Sequence, residues 1–128
     1  MSEENVEIVR RCYAALDRRD WESLWHEAHP DFELRTQLRG SHLGTDEAQP
    51  FIEDAFTAFD SWEVVPERFF ESDDHVVVFT VIRSRPRESS GWIKIDVADI
   101  WTLRDGTVLM IETFPQREKA LEAAGLSE

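Results

Sequence analysis

Cysteine is nearly absent from this chain of 128 residues. Cys12 stands alone, which excludes an intrachain disulfide. Long apolar runs are missing too, so no membrane-spanning segment is predicted. Positive charge is scarce: 14 Lys and Arg against 27 Asp and Glu leave a formal net charge of −13. Phosphate recognition needs a basic surface, and this balance argues against nucleic acid as a partner. The acid is spread along the chain, where it confers solubility rather than marking a tail. There is no glycine-rich phosphate-cradling loop and no His/Cys pattern with metal spacing, so neither a cofactor nor a metal is implied. The opening MSEENVEIVRR is acidic and polar, unlike a signal or transit peptide. A cytoplasmic protein without a membrane partner is expected. The length suits one domain over residues 1–128.

What is present centres on IKIDVADIWTLRDGTVLMIETF, residues 93–114. Asp105-Gly106 lies between two runs rich in apolar and β-branched residues, a strong hairpin signal because a type I′ turn needs φ > 0 at both central positions. A two-residue loop with unbroken pairing sets Arg104 opposite Thr107. Leu103 then faces Val108, Trp101 faces Met110, Asp99 faces Glu112 and Val97 faces Phe114. On this register Asp99, Trp101, Met110, Glu112 and Phe114 share one face, and Ala98, Ile100, Thr102, Leu109, Ile111 and Thr113 the other. Both faces are largely apolar, so both should be covered. Two opposed carboxylates on a dry face should share a proton or recruit a cation, which raises at least one pKa.

Elsewhere the periodicities are plain. Val6, Val9, Tyr13 and Leu16 predict a helix over residues 5–18. Asp20 can cap a short helix over 21–28, which Pro30 stops. FELRTQLR, residues 32–39, alternates as a half-buried strand with Phe32, Leu34, Thr36 and Leu38 on one face. Residues 40–45 read as a loop. A third helix runs to about residue 60, with Phe51, Ile52, Ala55, Phe56 and Phe59 buried and Pro50 in its first turn. Strands follow over 62–71, bent at Pro66, and over 75–83. A last short helix spans 116–126, with Gly125 as its cap. The order predicts an α+β fold: a mostly antiparallel sheet with about three covering helices.

Four segments add a further sign: ENVEIVRRCYAALDRRDWESL, HPDFELR, IWTLRDGTV and REKALEAAGL. Through them the chain resembles the SnoaL-like (polyketide cyclase-like) branch of the nuclear transport factor 2-like superfamily. The resemblance implies a cystatin-like cone, a curved sheet with its helices on the concave face and a pocket between them. It implies a range of activities, from isomerases and cyclases to dehydratases and hydrolases, and domains with none. By the same likeness Asp99 falls on the protonated aspartate of the ketosteroid isomerases. Their base falls on Thr36, and their helix tyrosine on Cys12, with Tyr13 one residue later. The late-strand aspartate of the cyclases falls on Thr113.

The candidate catalytic residues are therefore Asp99 and Glu112, with Tyr13, Thr36, Trp101, Met110 and Phe114 as candidate ligand contacts. Cys12 reads as a small core residue. His26 and His29 find no further metal ligands, and Arg83, Arg85 and Arg87 read as a solvated strand end. The expected function is a pocket for a small hydrophobic or aromatic molecule, with proton transfer as the chemistry. The alternative is a non-catalytic ligand-binding or interaction domain of the same fold. The apolar second face of the hairpin predicts a homodimer centred on Ile100 and Ile111.

Overall fold

The computed structural model describes residues 2–37 and 39–126, so Leu38 lies outside the described residues. α1 (Ser2–Asp17) turns its apolar stripe inward: Ile8, Val9, Cys12, Tyr13 and Ala15 are buried. The chain leaves it through Arg19, at a φ of 59°. The Arg19 guanidinium donates to the carbonyls of Leu16 and Asp17 at the open helix end, and to the Trp62 carbonyl at 3.0 Å. α2 (Trp21–His26) is capped by Asp20, whose carboxylate accepts from the Ser23 N–H and hydroxyl. It is two residues shorter than expected. Pro30 drives its neighbourhood into extended backbone, and β1 (Ala28–Thr36) already begins at Ala28.

β1 stops at Thr36 because the Thr36 hydroxyl accepts the Arg39 N–H at 2.8 Å and turns the chain. Gly40, at a φ of 74°, then opens β2 (Gly40–Leu43), where the sequence predicts a loop. α3 (Gly44–Thr57) starts earlier than expected, because Glu47 reaches back to accept the Leu43 N–H at 2.9 Å. Pro50 consequently sits inside the helix rather than in its first turn. Of the α3 residues only Ala48 is fully buried; Phe51, Ile52, Ala55 and Phe56 are half-buried, and Phe59 belongs to the next strand.

β3 (Phe59–Ser72), β4 (His75–Pro86), β5 (Ile93–Arg104) and β6 (Thr107–Phe114) follow, and α4 (Arg117–Ala123) ends the order. One sheet carries all six strands in the order β2-β1-β6-β5-β4-β3, antiparallel except for the parallel β1–β6 pair. The predicted bend in β3 is real: its register shifts between Pro66 and Arg68. Pro66 faces Thr80 and has no N–H to offer it. Arg117 donates to the Thr80 carbonyl at 2.8 Å and to the Val97 carbonyl at 3.0 Å, so it bridges β4 and β5 beside that bend.

The sheet is strongly curved. α3 packs against both β1 and β3, which lie four strand spacings apart. That is about 19 Å in a flat sheet, wider than a helix about 10–12 Å across. α1, α2 and α3 fill the concave side around Phe32, Leu34, Val76, Val78, Trp101, Leu103 and Val108. α4 covers the other side, setting Ala120 and Leu121 on Val77, Phe79, Ala98, Ile100 and Phe114. Gly125, at a φ of 74°, and Leu126 close α4 by donating to the Glu122 and Leu121 carbonyls. Both sheet faces are thus covered, as the hairpin composition requires.

The central hairpin departs from expectation in one residue. Asp105 and Gly106 have φ of 52° and 79°, as the turn demands, and Arg104 pairs with Thr107 and Leu103 with Val108. The next pair is Thr102 with Met110, so Leu109 is a β-bulge. One extra residue in β6 swaps the face of everything after it. Trp101 pairs with Ile111, Ile100 with Glu112, Asp99 with Thr113 and Ala98 with Phe114.

Candidate functional site

The bulge takes the expected acid pair apart. Glu112 stands opposite Ile100, on the outer face, where the Gln37 amide approaches it at 3.5 Å. Asp99 is on the inner face and 8% exposed. Met110 and Phe114 move outward with Glu112; Phe114 packs under α4. Ile111 and Thr113 move inward. Ile100 and Ile111 are therefore on opposite faces, and Ile100 is 5% exposed beneath α4. The expected two-fold patch does not exist.

A different cluster forms at Asp99. Tyr13, one helical turn and more inside α1, donates its hydroxyl to Asp99 Oδ2 at 2.7 Å. Thr113, directly opposite on β6, donates to Asp99 Oδ1 at 2.8 Å. Trp101 Nε1 donates to the Tyr13 oxygen at 2.9 Å, with the two rings 5.1 Å apart and tilted by 60°. Phe69 closes on Tyr13 edge-on at 6.4 Å. The chain of donors runs Trp101 to Tyr13 to Asp99. Tyr13, and not the neighbouring Cys12, is the helix residue aimed at the acid. Cys12 is 1% exposed in the inner core, and burial pushes its thiol up to about 12, so it is inert.

Burial pushes the Asp99 carboxyl above its ordinary value, while the hydrogen bonds from Tyr13 and Thr113 hold it back part of the way. Burial, and then the facing Asp99 charge, push the Tyr13 phenol well above its usual range. Tyr13 therefore stays a donor, and Asp99 is the group of the cluster that burial biases toward its protonated form.

Thr36 lies in the same transverse row. Across the sheet the row reads Gly40, Thr36, Thr113, Asp99, Val78, Phe69. Exposure falls along it, from Gly40 at the surface through half-buried Thr36 and Thr113 to Asp99. The inner face also opens along β5: Val97 is 5% exposed, Ile95 47% and Ile93 45%. Two surface grooves, of about 490 and 370 Å³, lie elsewhere, and Asp99 lines neither.

Of the predicted residues, the structure thus gathers Asp99, Tyr13 and Trp101, keeps Thr36 in their row, and places Glu112, Met110 and Phe114 on the far face. Two inner-face groups went unread. Thr113 is placed by the sequence on the face opposite Asp99 and as the match to the cyclases' late-strand aspartate, not as a partner of Asp99. His42 is hidden in the predicted loop: it faces Leu34, stacks on Phe51 at 4.1 Å, and its Nε2 is buried without a hydrogen-bond partner among the described residues. Neither histidine near Pro30 joins the cluster; His29 Nδ1 accepts the Asp31 N–H. Arg83 and Arg87 pair with Glu63 and Asp60, and Arg83 and Arg85 lie over Trp92.

Similar proteins place this geometry. A model of the SnoaL-like domain matches residues 9–110. No curated protein matches the chain. Among solved structures, TerC co-crystallised with polyporic acid superimposes with a TM-score of 0.79 at 26% identity, covering 94% of this chain and 97% of its own. A nuclear transport factor 2-like protein of unknown function from Burkholderia pseudomallei K96243 gives 0.79 at 22% identity over 94% and 97%. A hypothetical protein of ketosteroid isomerase-like fold from Catenulispora acidiphila DSM 44928, in complex with trimethylamine, gives 0.76 at 16% over 94% of each chain. The last two speak for the fold alone. No helix among the described residues is long and apolar enough to cross a membrane.

Proposed function

The chain belongs to the SnoaL-like domain family, a branch of the nuclear transport factor 2-like superfamily, and from that premise we propose that it holds a small hydrophobic or aromatic molecule on the inner face of its sheet and moves a proton at Asp99. The observation that carries this reading is the buried carboxyl itself. Asp99 accepts from Tyr13 and Thr113 in an otherwise apolar core, beside a strand whose inner face opens to solvent. A buried acid with a raised pKa, held by fixed donors, suits general acid–base work of the isomerase, cyclase, dehydratase or hydrolase kind. Trp101 and Tyr13 offer the aromatic contacts, and Thr36 a hydroxyl on the approach. Glu112 has no direct part, because it faces the other way.

One observation favours the non-catalytic alternative. The position of the ketosteroid isomerases' base is Thr36, which cannot take up a proton near neutrality, and both Asp99 oxygens already have donors. A single experiment separates the readings. Polyporic acid, the compound crystallised with the 26% identical relative, serves as binding probe, followed on the Trp101 indole N–H by NMR. A panel of enolisable aromatic ketones in deuterated water reports proton transfer. Saturable binding with catalysed exchange, reduced about 100-fold or more in Asp99→Asn, supports the enzyme. Binding without exchange selects the binding domain. Absence of any shift at Trp101 with either ligand class overturns the site.

Assembly as a homodimer belongs to the same reading. Large apolar side chains remain on the surface, led by Leu43 at 61% exposed, and Ile93, Ile95 and Trp92 cluster at one strand end.

A further inference from the structure

β5 is longer than its partner on one side. β6 ends at Phe114, opposite Ala98, whereas β4 accompanies β5 as far as Ile93. Residues 93–97 consequently have a neighbouring strand on one side only, and the other side is an open sheet edge. Open edges pair with other strands unless charge, a bulge or a cover prevents it. Residues 91–96 are all exposed, and Ile93 and Ile95 present apolar side chains there.

The sequence along the edge is Ile93-Lys94-Ile95-Asp96-Val97. Ile93, Ile95 and Val97 point to the inner face, and Lys94 and Asp96 to the outer. Read about Ile95, the pattern is self-complementary. In an antiparallel pairing of two copies centred there, Ile95 meets its own counterpart and Ile93 meets Val97. Lys94 of each copy meets Asp96 of the other, on both sides of the axis. Opposite charges directly across an antiparallel pair stabilise it, and like charges destabilise it. Any shift by two residues sets Lys94 against Lys94 or Asp96 against Asp96. Among the described residues Lys94 has no ion-pair partner in its own protomer, and the approach of Asp96 to Arg117, at 4.0 Å, leaves it 61% exposed.

We propose that residues 93–97 form the two-fold contact between two copies of this chain, joining their sheets edge to edge with Lys94 and Asp96 paired in trans. This rests on the homodimer reading above and replaces the sheet-face contact expected from the sequence. Five residues a side make a small interface, so the dissociation constant is expected in roughly the micromolar range.

The test is charge reversal with rescue. Mass is followed by size exclusion with light scattering over a range of protein concentrations, with circular dichroism as the control for folding. The wild type should pass from one to two chains as concentration rises. Lys94→Glu and Asp96→Lys each set like charges together twice and should weaken the dimer about tenfold or more. The double variant restores both pairs and should return the wild-type curve to within about threefold. A folded wild type that stays a monomer throughout overturns both this contact and the homodimer. A dimer indifferent to either reversal, or a double variant no better than the singles, overturns this edge while leaving the homodimer standing.

Discussion

The Tyr13 hydroxyl lies 2.7 Å from Asp99 Oδ2, across 86 residues of chain and between a helix and the middle of the sheet. Two constraints put it there. The helical stripe of α1 turns Tyr13 inward, and the strand period turns Asp99 to the same side. The contact is buried at both ends, at 5% and 8% exposure, so the carboxyl has exchanged water for two hydroxyl donors. Such a group is costly as an anion and easy to keep neutral.

The first prediction follows from that cost. The folded Asp99 titrates above its unfolded value, because burial outweighs its hydrogen bonds. Below the ordinary carboxylate range, near pH 3.9, both states are protonated and the group's contribution is fully present. As pH rises through the folded value, the native state must release a proton it holds more tightly than the unfolded chain does, and that stability is lost. Asp99→Asn removes this dependence: its amide oxygen accepts from one hydroxyl, and its NH2 donates to the other, which must turn to accept it. Urea unfolding of the two proteins from pH 4 upward should show the wild type losing ground to Asp99→Asn as pH rises. A difference that runs the other way would mean Asp99 is stabilised as a carboxylate.

The second prediction concerns the acid that moved away. Glu112 faces Ile100 on the outer side, with the sheet between it and Asp99. Replacing it with Gln should leave the Asp99 titration, read from the carboxyl carbon by NMR, where it was. A coupled pair would instead shift by about one unit or more, equivalent to about 1.4 kcal/mol of interaction. A shift of that size would restore Glu112 as the partner that tunes Asp99.

The face swap shows where legibility ended. Helix stripes, the Asp105-Gly106 turn, the bend at Pro66 and the Gly125 cap are local chemistry, and each was readable because one residue type meets one backbone demand. The α+β layers followed from them. The bulge did not, because Val108, Leu109, Met110 and Ile111 are four apolar residues in a row. Such a run has no period, so nothing in it reports an added residue. β2 was unreadable for a related reason. GSHL is short and polar, and the sheet edge that recruits it is formed by β1, whose end is set by the Thr36 turn. Asp99 and Trp101 share a face as expected because β5 keeps its period to the turn; Glu112, Met110 and Phe114 fall on the other face because β6 does not.

The third prediction tests that single residue. Deleting Leu109 removes the extra residue and should leave Thr102–Met110, Trp101–Ile111, Ile100–Glu112 and Asp99–Thr113 paired as they are, now in an unbroken ladder. Asp99 would keep the Thr113 hydroxyl, and β1 the Leu34–Ile111 match. The cost should stay near the ordinary single-site value of about 1 kcal/mol. Urea unfolding, with the Trp101 indole N–H followed by NMR, checks it: a loss of about 3 kcal/mol or more, or a changed Trp101 environment, would show that the bulge itself, and not the register beyond it, holds the site.

The last prediction concerns the residue that bridges β4 and β5 from α4. Thr80 is fully buried and pairs with Val97. Arg117 reaches in from α4 with Nη2 on the Thr80 carbonyl and Nε on the Val97 carbonyl, its guanidinium lying 4.8 Å from the Phe79 ring. Three roles meet in one side chain: it pairs two carbonyls, docks α4 on the outer core, and holds the strand that carries Asp99 two residues further on. Arg117→Ala leaves the carbonyls without that donor and should cost about 1–3 kcal/mol. Arg117→Lys keeps the charge but cannot present two N–H groups in a fixed fork, so it should recover only part of the loss. Paired unfolding curves measure both. If Lys restores full stability, charge near Glu67 and Asp96 is what matters, and the forked bonds to the two carbonyls are not.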